Sequence, residues 1–305
     1  MFSERMRRRL ARMFYPYELE KAYVTIASEY ASLLYKAIKQ YFPAMRRARA
    51  RIDNICSPAL RRQAQKREAR KIERAARREF GRLEQSFKLD AKIETVANKA
   101  SIFQKEAAEM LESQRKILEK KPKAVAKATP VPTAKSKTAA AWAKKNTALI
   151  KTLPEKGMTE LNKIILDGWR TGETQASMAK KIQKLCGVSE NKAKFWARDQ
   201  MAKLNADMAR ERHMAAGVKE YVWSTSGDER VRGNPKGKYP KAKPSHYDIN
   251  KKRCKYADPT VYKNNGEWAK RPANFPQVHP GYDFICRCVA LPCYPGITMP
   301  WEKGE

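Results

Sequence analysis

Between Leu60 and Lys120 the chain has no proline and a single glycine, Gly81, and its apolar residues keep a helical period. Ile72, Ala76, Phe80, Leu83 and Phe87 are followed by Ile93, Val96, Ala100, Phe103, Ala107 and Met110. Within each group the steps are three, four or close to it, which is the mark of one buried helical stripe. An earlier stripe runs through Leu19, Tyr23, Ile26, Tyr30, Leu33, Ala37 and Tyr41. Pro43 interrupts it, and Ser57-Pro58 marks a turn before the longer segment. Residues 1–120 therefore read as a basic helical region, an antiparallel hairpin or coiled coil of two long helices.

The charge on these helices bears on partners. The chain carries 65 Lys and Arg against 32 Asp and Glu, a formal net charge of +33. Such an excess repels itself in a compact state and points to a polyanion: DNA, RNA or an anionic surface. A solvated basic surface is the plainer alternative. The densest run holds Arg61, Arg62, Lys66, Arg67, Arg70 and Lys71, continued by Arg74, Arg77 and Arg78. Cations fixed on a helix can follow a phosphate backbone without reading its sequence. Equally, Glu68 and Glu73 could lace them into a solvated face. The basic first residues lead into no apolar run, so no signal peptide is expected. No window approaches the roughly eighteen apolar residues of a membrane span. A cytosolic chain without a membrane partner follows. Six Cys are too sparse for a disulfide scaffold, and in a reducing compartment clustered Cys more often hold metal.

Residues 121–141, rich in Lys, Ala and Pro, cannot bury enough apolar area to offset ordering entropy and read as a semi-stiff basic tether. Residues 142–295 read as a compact domain, with 296–305 as a tail. A helix over Thr159–Trp169 presents Leu161, Ile164, Ile165 and Trp169, and Arg170–Thr174 is a turn. A short helix with Met178, Ile182 and Leu185 inward is expected to stop at Gly187. Ser189 would cap a longer helix ending near Gly217. From Val218 the period becomes alternating, with Tyr221, Val222 and Trp223 leading into Thr225 as a strand. A last strand is expected around Ile285–Leu291. The fold class is α+β: helices first, then a small sheet with large loops.

Two stretches could carry chemistry. In Trp223–Arg232, Asp228, Arg230 and Arg232 share one side of an extended chain. They either pair internally to tie down the loop or bind an acidic group on a partner. In Val278–Val289, His279, Cys286 and Cys288 bring an imidazole and two thiols together. Zinc favours four tetrahedral N and S ligands, and His246 and Cys254 are the candidates to complete the set. The alternative is a locally bonded His279 with thiols packed as small apolar groups. Cys56, Cys186 and Cys293 read as ordinary thiols, and His213 as a surface residue. No phosphate loop, dinucleotide fingerprint or hydrolase motif is present, so no small-molecule substrate is expected.

The stretch from Met158 to Pro292 resembles the phage head morphogenesis domain, the Mu F-like minor capsid domain. The resemblance rests on an ordered set of pieces. Ala197–Gln200 (Ala-Arg-Asp-Gln) and Lys203–Asn205 (Lys-Leu-Asn) come first, then Gly217-Val218 and the strand motif from Tyr221 to Arg232. Pro244–His246 and the His279–Cys288 ending complete it. The resemblance implies a minor virion component inside the head or at the portal vertex. Portal or major capsid protein and packaged double-stranded DNA are the implied partners, the host cytoplasm is the place of assembly, and no catalytic residues come with it. Relatives often place the His soon after the Arg pair. Gly233–Lys243 intervenes here, so His279 is the firmer ligand expectation and His246 the weaker one. Some relatives carry a toxin or transferase domain beyond this module, and thirteen residues after Pro292 would be too few for one. A metal-dependent nuclease using His246 or His279, or a nucleic-acid-binding protein unrelated to phage, are the competing functions.

Overall fold

The computed structural model describes residues 13–118, 137–258, 260–263 and 267–302. Among the described residues six helices come first: α1 (Tyr17–Lys39), α2 (Phe42–Asp53), α3 (Pro58–Phe87), α4 (Leu89–Leu118), α5 (Lys137–Arg170) and α6 (Gln175–Ala215). Five short strands follow: β1 (Glu220–Ser224), β2 (Arg253–Lys255), β3 (Thr260–Tyr262), β4 (Trp268–Lys270) and β5 (Val289–Cys293). They form one antiparallel sheet in the order β4-β3-β2-β1-β5. The α+β class holds. No described helix is long and apolar enough to cross a membrane.

The chain forms two units that do not divide at the tether. The helical unit takes residues 22–95 and 143–197. The sheet-bearing unit takes the described parts of 1–21, 96–142 and 198–305. Of the expected tether, residues 121–136 lie outside the described residues, and 137–141 are the first turn of α5.

In the helical unit α1 buries Tyr23, Tyr30, Leu33 and Ala37 of the expected stripe, joined by Ala27, Leu34 and Ile38, while Leu19, Ile26 and Tyr41 are half-buried. Its tyrosines also satisfy their hydroxyls, Tyr23 donating to Asn146 at 2.9 Å and Tyr30 to Glu84 at 2.5 Å. Ser57 caps α3, accepting the Leu60 amide at 3.5 Å, with Pro58 in the first turn where its missing N–H costs nothing.

Four expectations need correction. The segment from Leu60 to Lys120 is not one helix: Lys88 turns left-handed at φ 52° and separates α3 from α4. The stripe records this break as the jump from Phe87 to Ile93, a spacing that no single helical face accommodates. Conversely, Gly187 stops nothing, and α6 runs through it. Ile182, Cys186, Ser189, Ala193 and Ala197 are all buried, an unbroken stripe that outweighs the glycine's cost of about 1 kcal/mol. Ser189 is no cap there; its hydroxyl bonds back to the Leu185 carbonyl at 3.2 Å. The last strand begins at Val289, because Ile285 adopts φ 51° and the Cys286 amide closes a turn on the Asp283 carbonyl at 3.0 Å.

Helix α6 ends at a Gly217 with φ 72°, where the Val218 amide returns to the His213 carbonyl at 2.9 Å. The chain then enters β1, which sits between β2 and β5 and pairs along its whole length with β5. Its side chains alternate between two cores. Val222 packs with Ala107, Leu111, Ala202, Leu291 and Met299 on one face. Tyr221 and Trp223 pack with Ile249, Cys254, Phe275, Cys286 and Cys288 on the other.

Candidate functional site

Beneath the Trp223 side of β1 the two long loops meet, one joining β1 to β2 and the other joining β4 to β5. The first supplies His246 and the second supplies Cys286 and Cys288. Their ligand atoms lie within 4.8 Å of one another, and all three residues are buried. His246 Nδ1 stands 3.3 Å from Cys288 Sγ and 3.4 Å from Cys286 Sγ. The backbone holds this arrangement. The Gly281 and Cys288 amides both donate to Cys286 Sγ at 3.4 Å, and the His246 amide donates to the Arg232 carbonyl at 3.0 Å.

The other imidazole nitrogen has its own partner. His246 Nε2 bonds Asp283 Oδ2 at 3.0 Å, and the same oxygen is paired with Arg232 at 2.7 Å. Burial would raise the Asp283 carboxyl, but the His246 hydrogen bond and the Arg232 charge hold it down at about 2. Burial likewise favours a neutral Cys286, yet the hydrogen bonds from Cys288 and His246 outweigh it and hold that thiol well below its ordinary range. Cys288, buried beside Cys286, is pushed the other way. Of the two neighbouring thiols, Cys286 is therefore the one more readily ionised.

The remaining expected ligands are elsewhere. Cys254, on β2 opposite Tyr221, gives its thiol to the Lys252 carbonyl at 3.6 Å, and burial pushes it up to about 11. His279 is held by Tyr221, whose hydroxyl lies 3.0 Å from Nδ1 and receives Arg271 at 2.8 Å. With Arg271 donating, the tyrosine proton goes to His279 Nδ1, so that nitrogen is spent. The order of expectation is thus reversed: His246 joins the thiols and His279 does not. The eleven intervening residues from Gly233 to Lys243 loop out and return without displacing it.

Burial, then the positive charges of Arg210 and Arg271, lower His279 to about 4. The neutral ring is the folded form. Above the unfolded value near 6.5 this costs nothing. As pH falls from there toward 4, the unfolded chain takes a proton that the folded one refuses, and stability is lost. Solvent around the half-buried ring limits the loss to roughly 1–2 kcal/mol. Denaturant unfolding at pH 7 and pH 4.5 checks this: His279→Gln should lose less stability between the two than wild type by about that amount.

Asp228, Arg230 and Arg232 do not pair with one another's side chains. Asp228 accepts the Arg230 amide at 2.9 Å, closing a local turn, and pairs with Arg287 at 3.2 Å. Arg232 pairs with Asp283, and Arg230 is exposed. Two acids of the site went unread in the sequence. Asp283 lies within the His279–Cys288 stretch but carries no ligand spacing of its own. Asp199, in the Ala-Arg-Asp-Gln motif, is buried and accepts the Ile285 amide at 3.1 Å, fixing the turn before Cys286. His213 is not a surface residue: it is buried, with Nδ1 2.7 Å from the Tyr256 hydroxyl and Nε2 3.1 Å from Arg212.

Asp199, Trp223, His246 and the segment from Asp283 to Cys288, each from one of the sequence motifs, thus meet around one buried cluster. Residues 159–291 match the family described as Phage Mu protein F like protein. The Mu F-like stretch coincides with the span picked out by the motifs, and the resemblance read from them holds. An uncharacterized protein of Haemophilus influenzae is 33% identical over 147 residues, covering 48% of this chain and 27% of that protein. The chain thus spans about a quarter of the length of that curated relative. No solved structure matches.

A second candidate surface lies outside the Mu F-like stretch, on α3. The structure sorts the nine cations of the run from Arg61 to Arg78. Lys71 and Arg67 pair with Glu68 at 2.9 and 3.8 Å, and Arg77 pairs with Glu73 and Glu155 at 3.0 and 2.9 Å. Arg61 donates to the Ile55 carbonyl at 2.9 Å. Arg62 has only a long bond to the Pro58 carbonyl, 3.4 Å. Among the described residues no carboxylate pairs with Lys66, Arg70, Arg74 or Arg78, all exposed. These five recur every four residues, forming a ridge about 24 Å long that winds slowly around the helix. Arg62 and Lys66 also line a groove of about 640 Å³ with Lys163 and Arg170 of α5.

Proposed function

We propose that this chain is a minor capsid protein of a tailed bacteriophage that acts in head morphogenesis without catalysing a reaction. The Mu F-like match over residues 159–291 carries this reading. The sheet-bearing unit would dock on portal or major capsid protein. The α3 ridge would lie along packaged double-stranded DNA, because five cations without carboxylate partners are free to neutralise phosphates. The protein then resides in the virion, at the capsid interior or portal vertex, after assembly in the host cytoplasm.

Disrupting the coding sequence in a phage that carries it tests the role. Heads should fail to form, or form and fail to retain DNA, and the intact gene in trans should restore them. Normal yields of infectious particles without the protein would contradict the proposal. The non-catalytic part has its own check. Supercoiled plasmid incubated with the full chain and divalent cations should stay supercoiled, and cation-dependent nicking that follows the protein through purification would overturn it.

A further inference from the structure

We propose that His246 Nδ1, Cys286 Sγ and Cys288 Sγ bind one zinc ion, oriented by Asp283, and that the ion clamps the β1–β2 loop to the segment leading into β5. The inference stands apart from the head-assembly reading and concerns how the Mu F-like stretch is held together.

The spacing is that of ligands already gathered for a metal. A tetrahedral zinc with Zn–S near 2.3 Å and Zn–N near 2.0 Å holds its N and S ligands about 3.5 Å apart. His246 Nδ1 lies 3.3 and 3.4 Å from the two sulfurs. A hydrogen-bonded His–Cys pair would account for one such distance, but one Nδ1 placed evenly between two thiols is the arrangement of a shared third centre. Both sulfurs and the nitrogen are soft or borderline donors, the set that selects zinc over magnesium or calcium.

The surroundings are those of a metal-bound histidine. Such a histidine directs one nitrogen to the ion and gives the other N–H to a carboxylate, which fixes the tautomer. Asp283 occupies that position at 3.0 Å, itself anchored by Arg232 at 2.7 Å. Amide hydrogens from Gly281 and Cys288 at Cys286 Sγ stabilise a thiolate, the form that binds metal. The Trp223 ring meets His246 edge-on at 5.7 Å and seals the site from the sheet side. Among the described residues no fourth His, Cys, Asp or Glu joins the three within the same span.

The full chain, purified under reducing conditions, should contain one equivalent of zinc by elemental analysis. Stripping with a chelator and refilling with cobalt(II) should give thiolate-to-cobalt charge-transfer bands together with the intense visible absorption of a tetrahedral ion. This readout needs no substitution and is independent of variant folding. Cys286→Ser and His246→Ala should lose the metal, whereas Cys254→Ser and His279→Gln should keep it. Asp283→Asn should keep it with affinity weakened about 10- to 100-fold. A wild-type protein that takes up neither zinc nor cobalt would overturn the proposal. So would equal loss in Cys254→Ser, which would mean a different ligand set, and unchanged affinity in Asp283→Asn would remove the orienting role.

Discussion

Replacing Arg62, Lys66, Arg70, Arg74 and Arg78 together by glutamine should remove most double-stranded DNA binding and flatten its salt dependence. Five phosphate contacts give log K a slope of about −4.5 against log salt, so wild-type affinity should fall about 500-fold between 50 and 200 mM. Losing the ridge should cut the slope by nearly that whole amount. Glutamine is nearly as good a helix former as lysine or arginine, so α3 should persist. As a control, Arg61, Arg67, Lys71 and Arg77 hold protein partners, and replacing them should change the slope far less. Binding measured across a salt series decides the matter: an unchanged slope in the ridge variant would place DNA elsewhere or nowhere. Point substitutions are the right tool. Deleting everything before Trp142 would take α1–α4 with it and remove parts of both units.

Trp223→Ala should be among the most destabilising single changes in the sheet-bearing unit. The side chain is fully buried on β1, between β2 and β5, packs with Cys286 and Cys288, and lies under the Arg271 guanidinium at 5.6 Å. Truncating such a residue removes its transfer free energy and leaves a cavity, together about 3–5 kcal/mol. That is a large share of the roughly 5–15 kcal/mol that holds a domain folded. Denaturant unfolding monitored by near-ultraviolet dichroism reads the loss. A change below about 1 kcal/mol would mean that Trp223 is not the keystone of this core.

Much of the fold was legible because periodicity is a local property. The α1 stripe, the Ser57-Pro58 start of α3 and the strand at Tyr221–Trp223 each follow from residues within a few positions of one another. The errors arose where two local signals competed. At Lys88 a lysine took a left-handed turn that its identity does not advertise, and only the phase jump from Phe87 to Ile93 recorded it. At Gly187 the usual helix-stop signal lost to a stripe that kept its phase from Ile182 to Ala197.

The site was legible in its parts but not in its membership. Cys286 and Cys288 are neighbours in sequence, so their pairing was readable. Choosing between His246 and His279 required knowing which loop returns beneath β1. It also required knowing that Tyr221 and Arg271 already occupy His279. Likewise Asp283 and Asp199 act through tertiary partners, His246 and the Ile285 amide, that lie 37 and 86 residues away in sequence. Between Arg61 and Arg78 the sequence shows nine cations, and only the fold could separate five without carboxylate partners from four already engaged.

The head-assembly account is tested most directly by identifying proteins in purified proheads and mature virions of a phage that encodes this chain. The account predicts the protein in both, at far lower copy than the major capsid subunit, and resistant to protease until the particle is opened. Its absence from both particles, with the protein found free in the infected cell, would contradict the account.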